Sequence, residues 1–241
     1  MQISSFLTLS KQTALSRHLE VTAENLANAS TLGYRRTGIY FNSLMGRPAA
    51  GEDVSYPFES ESHVDFTEGA FQDTGNPLDL AILGNSEAFF VVTKDGELRI
   101  TRNGNFLINT TGQLVTTTGE TVLDDSSQPI RVNPGAQKLV VTEDGSIFSD
   151  DVRSGRIRVV ERKDAAPLQR RGSGGFLFSE DIVQKPVSYT VQSGRLETTN
   201  VNPISEMTSM IELSRTFEML QQVLKLEDER QTSVIDKVPT T

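Results

Sequence analysis

His18 and His63 are the residues most able to do chemistry in this chain, since an imidazole pair can ligate a metal or move protons. They stand far apart and without metal-ligand spacing, so His18 is expected to face solvent. Asp124-Asp125 and Asp150-Asp151 are paired carboxylates, the groups that acid–base catalysis or calcium binding would need. Neighbouring residues of a strand point to opposite faces and both pairs adjoin loops, so solvated turns are expected instead. Gly172-Ser173-Gly174-Gly175 has the glycine density of a phosphate loop but no following lysine or helix, and Arg170 to Gly175 reads as an exposed loop. No Gly-x-Ser-x-Gly elbow or His-Glu-x-x-His motif occurs. With no cysteine, disulfides, thiolate metal sites and Cys nucleophiles are excluded. The residues support no catalytic site, no metal site and no cofactor.

The elements that would position any site are of two kinds. Residues 2–29 and 203–238 each read as a long amphipathic helix. The first places Ile3, Leu7, Ala14 and Val21, with Leu15, Leu19 and Leu26 beside them, at spacings that share one helix side. The second repeats the pattern with Ile204, Met207, Met210, Ile211, Phe217, Leu220 and Leu224, and more weakly with Val234, Ile235 and Val238. Asn202 suits the N-cap, Pro203 the first helical position, and Glu206 the first turn, where the helix dipole favours negative charge. The first helix should stop near Asn28 to Gly33, where Gly33 can adopt the positive φ of a C-terminal cap.

Between the helices, 37–63 forms a polar, Gly- and Pro-containing connector read as loop. From 64 to 196 short strands alternate with turns, as in Leu78-Asp79-Leu80-Ala81-Ile82 and Leu98-Arg99-Ile100-Thr101. Asp95-Gly96, Asn103-Gly104, Thr111-Gly112, Thr118-Gly119 and Asp144-Gly145 are read as hairpin turns. The expected fold class is α+β. A discontinuous helical coiled-coil domain from both termini (1–36 and 197–241) joins a central all-β domain (64–196).

A helix of about 28 residues would be roughly 42 Å long, enough to cross a bilayer. Lys11, Arg17, Glu20 and Glu24 interrupt it, and each charge near a membrane centre costs about 2.5 to 3.5 kcal/mol, so no membrane insertion is expected. The N-terminus also lacks the apolar h-region and cleavage site of a secretory signal. Twenty-three basic against 32 acidic residues give a net charge of −9, which disfavours nucleic acid as a partner. Basic residues lead slightly in 1–36, and acids outnumber bases over the last 46 residues. A weak attraction between the helices follows.

Glu24-Asn25-Leu26-Ala27-Asn28-Ala29-Ser30-Thr31-Leu32-Gly33-Tyr34-Arg35 resembles the N-terminal motif of bacterial flagellar rod and hook proteins, an Asn-Leu-Ala-Asn core followed by Thr-x-Gly-aromatic-basic. Leu196-Glu197-Thr198-Thr199-Asn200-Val201-Asn202-Pro203, then Glu206-Met207, Met210-Ile211, Arg215, Phe217-Glu218 and Asp228-Glu229, resemble the C-terminal half of the same family. Asp79-Leu80-Ala81-Ile82-x-Gly84, Phe89-Phe90-Val91-Val92, Thr101-Arg102-Asn103-Gly104-Asn105-Phe106 and Gly112-Gln113-Leu114-Val115 look like its β domain. Glu24 replaces a common second asparagine and Thr199 a usual serine. Within the family, the length and opening residues are most like the proximal rod members, with distal rod members next.

The resemblance implies a structural subunit of the basal-body rod, exported through the flagellar export apparatus without a cleaved signal. Such a subunit would lie in the rod across the periplasm, pair with other rod subunits and itself, and transmit torque without catalysis. Fully burying a Leu, Ile, Met or Phe gains about 1.5 to 3 kcal/mol, so some seven per helix supply about 10 to 20 kcal/mol before ordering costs. The expected assembly interface is Ile3, Leu7, Leu15, Leu19, Asn25, Leu26, Asn28 and Gly33 at the N-terminal end. Asn200, Asn202, Met207, Met210, Ile211, Arg215, Phe217, Leu220 and Leu224 complete it. Asn25 and Asn28 either bond across the interface or cap the helix end. Arg215 either pairs with Glu212, Glu218 or a neighbouring subunit, or lies on a solvated face. The reading of a different class is a secreted β-domain enzyme or binding module that its helices merely dimerise.

Overall fold

The computed structural model describes residues 2–46, 54–133, 135–136, 138–163, 168–172, 174–177 and 179–235. The chain divides into two compact units, one of residues 1–27, 37–65 and 202–241, the other of 28–36 and 66–201. One helix at each terminus and a largely β centre make the fold α+β. No helix among the described residues is long and apolar enough to cross a membrane.

The first unit holds helix α1 (Gln2–Ala27), strands β1 (Thr37–Gly46) and β2 (Val54–Val64), and helix α2 (Pro203–Ile235). α2 starts at its expected cap, with Asn202 Oδ1 accepting from the amides of Ile204 (3.1 Å) and Ser205 (3.3 Å). Val238 lies outside the described residues. α1 ends at Ala27, and Gly33 does not cap it: its positive φ of 66° serves the turn in which Tyr34 N donates to Thr31 O. The described residues of the connector are strand and not loop, and 47–53 lie outside the described residues. β1 and β2 form an antiparallel ribbon in register from Thr37 opposite Val64 to Gly46 opposite Val54, with a bulge at Tyr40/Phe41. Its polar composition and Pro57 hide the ribbon in the sequence, because a two-stranded sheet is held by what it packs on, here α1.

The second unit contains β3 (Phe71–Asp73), β4 (Leu80–Leu83), β5 (Ala88–Lys94), β6 (Glu97–Thr101), β7 (Phe106–Ile108), β8 (Leu114–Thr116), β9 (Thr121–Val122) and β10 (Leu139–Val141). It continues with β11 (Ser146–Ser149), β12 (Val152–Arg156), β13 (Val159–Arg162), β14 (Gln169–Arg171), β15 (Gly175–Leu177), β16 (Val183–Gln184), β17 (Thr190–Ser193) and β18 (Arg195–Glu197). The main sheet runs β14-β15-β6-β5-β9-β8-β7, and β13 joins β5 on the edge shared with β9 and carries β16. β10-β11-β12 form a separate meander, while β17 pairs with β4 and β18 with β3. Alternation in β5 sends Ala88, Phe90 and Val92 into the main core with Leu80, Ile82, Phe106, Leu114, Val122, Ile147 and Val191. Phe89 takes the other face and meets Phe66 and Phe176 edge-on at centroid distances of 6.1 and 6.0 Å.

Four of the five expected turn dipeptides fall in hairpin connections, with positive φ at Gly96, Gly112, Gly119 and Gly145. Asn103-Gly104 is different, since β6 and β7 do not pair. Gly104 there lies against the backbone of Leu80, whose amide donates to its carbonyl (3.0 Å), and a Cβ would collide with the Leu80 carbonyl. Arg170 to Gly175 is also not a plain loop: it is the β14–β15 hairpin, anchored because Arg170 lies over the Tyr34 and Phe176 rings.

Candidate assembly interface

In the first unit α1 packs on α2. On α2 the half-buried apolar residues are Met210, Leu213, Phe217, Leu220 and Leu224, an alternation of three- and four-residue steps that keeps one narrow seam. The opposite side carries a second set of large apolar residues, set among the exposed polar residues Thr208, Glu212, Glu218 and Gln222. Ile204 (71% exposed), Met207, Ile211 (54%), Met219 (58%), Val223 and Leu226 lie on it, with exposed Arg215 in the middle. At about 100° of rotation per residue, Met210 and its neighbour Ile211 already stand on different sides. The single stripe expected from sequence is therefore two: Met210, Phe217, Leu220 and Leu224 on the covered side, Ile204, Met207 and Ile211 on the bare one.

On α1, Val21 is buried, Leu15, Leu19 and Leu26 are half-buried, and Leu9 is exposed. The side chains of Ile3 and Leu7 lie outside the described residues. His18 is half-buried, contrary to its expected solvent position. His63 is half-buried, stacked on Tyr40 at 4.0 Å and pressed under Gly38. Asn25 is buried, its amide donating to Thr37 O (2.8 Å) and accepting from Thr37 N (2.9 Å). That two-way amide clamp ties the last turn of α1 to the start of β1. Asn28 Oδ1 accepts from Thr31 Oγ1 (3.2 Å).

The remaining motif residues meet inside the β unit. Arg35 and Glu197 are fully buried and pair at 2.7 Å, and Arg35 Nη1 also donates to Thr67 O (2.6 Å). Arg102, equally buried, approaches the other carboxylate oxygen of Glu197 at 3.6 Å and Glu68 at 3.7 Å, and donates to the carbonyls of Ile82 (3.1 Å) and Asn85 (2.6 Å). Burial lowers the Arg102 pKa to about 10, opposed by the Glu197 charge and reinforced by Arg35. It stays charged at neutral pH, so two guanidinium groups share one buried carboxylate. Removing one partner of a buried ion pair costs about 3 to 5 kcal/mol. Asn200 Oδ1 accepts from Arg36 N (2.7 Å) while its amide donates to Thr67 O (3.1 Å).

The paired acids have local duties. Asp124 Oδ1 accepts from the amides of Ser126 and Gln128, both at 2.8 Å, and Asp150 and Asp151 form the left-handed turn between β11 and β12. Among the described residues no group of three or more His, Asp or Glu converges on a metal-sized site.

Residues 9–35 match the family described as "Flagella basal body rod protein", 81–149 the "Flagellar hook protein FlgE/F/G D1 domain", and 192–236 the "Flagellar basal body rod FlgEFG protein C-terminal". Over 243 residues the chain is 32% identical to the flagellar basal-body rod protein FlgF of Caulobacter vibrioides, covering 99% of this chain and 98% of that one. The chain belongs to the flagellar basal-body rod protein family. The rod protein is also 34% identical to FlgF of Escherichia coli, with 87% of each chain covered. It is 29% identical to the rod protein FlgG of Bacillus subtilis, with 88% of this chain and 89% of that one covered. It is a structural subunit of the flagellar basal body rod.

Of the residues expected to form the rod protein's interface, the structure gathers the α1 and α2 residues into the helical unit. Asn28, Gly33 and Asn200 fall in the β unit. Arg35, Arg102 and Glu197 lie in three separate family-like motifs whose sequence assigns them no role. The available signal was a charge inside each otherwise apolar or turn-forming motif, but one charge does not name its partner.

Proposed function

We propose that this rod subunit joins its neighbours through the bare side of α2, with other rod subunits and further copies of itself as partners. The observation that carries this is the row Ile204, Met207, Ile211, Met219, Val223 and Leu226, which runs over several helical turns and is left exposed among the described residues. One side of α2 is already on α1, and the large apolar side chains left exposed on the other side would gain from being covered as well. The covered seam and the 3–4 spacing support coiled-coil packing between α1 and α2. The subunit then works as a load-bearing element of a rod across the periplasm, delivered by the flagellar export apparatus, transmitting torque and catalysing nothing. Its variable centre favours the proximal part of the rod over the distal part.

Ile211→Asp tests the interface. A charge on this face would be forced into an apolar contact without a partner, so incorporation into basal bodies and swimming should be lost while the subunit accumulates normally in cells. Normal swimming by cells carrying only that variant would exclude the bare side of α2 as the interface.

A further inference from the structure

The segments 28–36 and 196–201 carry family-like residues, and the side chains at their centres are closed to solvent while the flanking ones are half-buried. Tyr34, Arg35, Leu196, Glu197 and Val201 are buried. Their polar groups turn inward: Gly33 N donates to Glu197 O (2.9 Å), Arg170 to Arg35 O (2.7 Å), Arg36 N to Asn200 Oδ1, and Thr198 N to Ala70 O (2.8 Å). Gly69 N donates to Glu197 Oε1 (3.1 Å), and no side chain fits at Gly69, because a Cβ there would strike the Thr198 carbonyl. The same holds at Gly33, whose Cβ would press on the Arg102 and Asn103 backbone.

We propose that these two segments form an ionic knot that closes the β unit from within, and that they act in folding the subunit and not in recognising a neighbour. The knot joins places up to 164 residues apart, Arg36 and Asn200. Until Glu197 arrives, Arg35 and Arg102 would be two buried cations near one another with the partly exposed Glu68, 3.7 Å from Arg102, as a weak substitute, an arrangement a compact chain does not tolerate. The β unit therefore closes only when residues 28–36 and 196–201 are both in place. A strand-complete centre without them stays open. A partner cannot read side chains that have no accessible surface, so Tyr34, Arg35, Leu196, Glu197 and Val201 serve the interior of the subunit.

The test uses the full chain carrying Glu197→Gln or Asn200→Ala, with thermal unfolding and amide hydrogen exchange of β5 as readouts, alongside incorporation into basal bodies. Glu197→Gln should lower the melting temperature of the β unit by roughly 10 °C and strip protection from β5, or prevent folding altogether. Asn200→Ala, which removes fewer bonds from a half-buried site, should fold and melt about 3–6 °C lower. Incorporation should fall only as far as the folded fraction falls. Unchanged melting and protection in Asn200→Ala would overturn the knot, and all the more so if incorporation were lost. Melting and exchange are read on the chain alone, so they stand or fall separately from the proposed interface on α2.

Discussion

Asp144 shows how far a single turn residue can be tuned. Thr142 Oγ1 donates to its carboxylate at 2.5 Å, and Ser146 Oγ at 2.8 Å, and these bonds hold its pKa down to about 2. A carboxyl depressed in the folded state adds stability that is present above its unfolded pKa near 4 and is lost as pH falls toward 2. The side chain is more than half exposed, so solvent screens much of the gain. Asp144→Asn should melt slightly lower than the parent at neutral pH, and the gap should close between pH 4 and pH 2. A melting series across that range reads it, and a gap that does not narrow would remove this carboxylate from the acid response. Arg35 and Arg102 make the complementary point. Their charges were visible in the sequence, but the buried carboxylate that makes them compatible lies in a distant segment, and nothing local announces it.

At the scale of elements, the helices divide their labour by face. Phe217 and Leu26 are half-buried in the helical unit, so an aspartate at either position would place an uncompensated charge in the packing of the helices. Phe217→Asp and Leu26→Asp are each expected to block assembly, measured as loss of swimming, while the β unit keeps its own melting transition. Normal motility from either would count against helix packing as the basis of assembly. The ribbon of β1 and β2 escaped sequence reading for a physical reason. Its strands carry serines, glutamates and a proline, residues of low strand propensity, and the ribbon gains its order from α1 and from the Asn25 clamp on Thr37. Asn25 itself offered two readings, and the structure engages its amide inside the chain.

For the whole molecule, the expectation concerns number. If the subunit occupies the proximal rod, intact basal bodies from cells that express it should contain it at a low, fixed ratio to the ring proteins by quantitative mass spectrometry. A substantially higher ratio would assign it to the distal rod. If the bare side of α2 is the interface, the net charge of −9 would work with it, since long-range repulsion would keep free subunits apart while a short-range apolar contact, once made, would be strong. Seven apolar side chains per helix yield about 10–20 kcal/mol only when fully buried. In one chain the α2 seam is only half-buried and the other side is bare, so much of that gain is available only on assembly.

Local physics made the sequence sufficient for the two helices, the start of α2 at Pro203, four hairpin turns, the α+β class and the family motifs. Capping, periodicity and positive φ act over a few residues and leave their mark in the residues themselves. Tertiary structure alone decided which side of α2 is covered, that 37–46 pairs with 54–64 as a ribbon, that Gly33 and Asn200 sit in the β unit, and that Glu197 answers both Arg35 and Arg102. Each of these depends on groups brought together from far along the chain, and the energy of a buried charge or an apolar face is set by what lies against it.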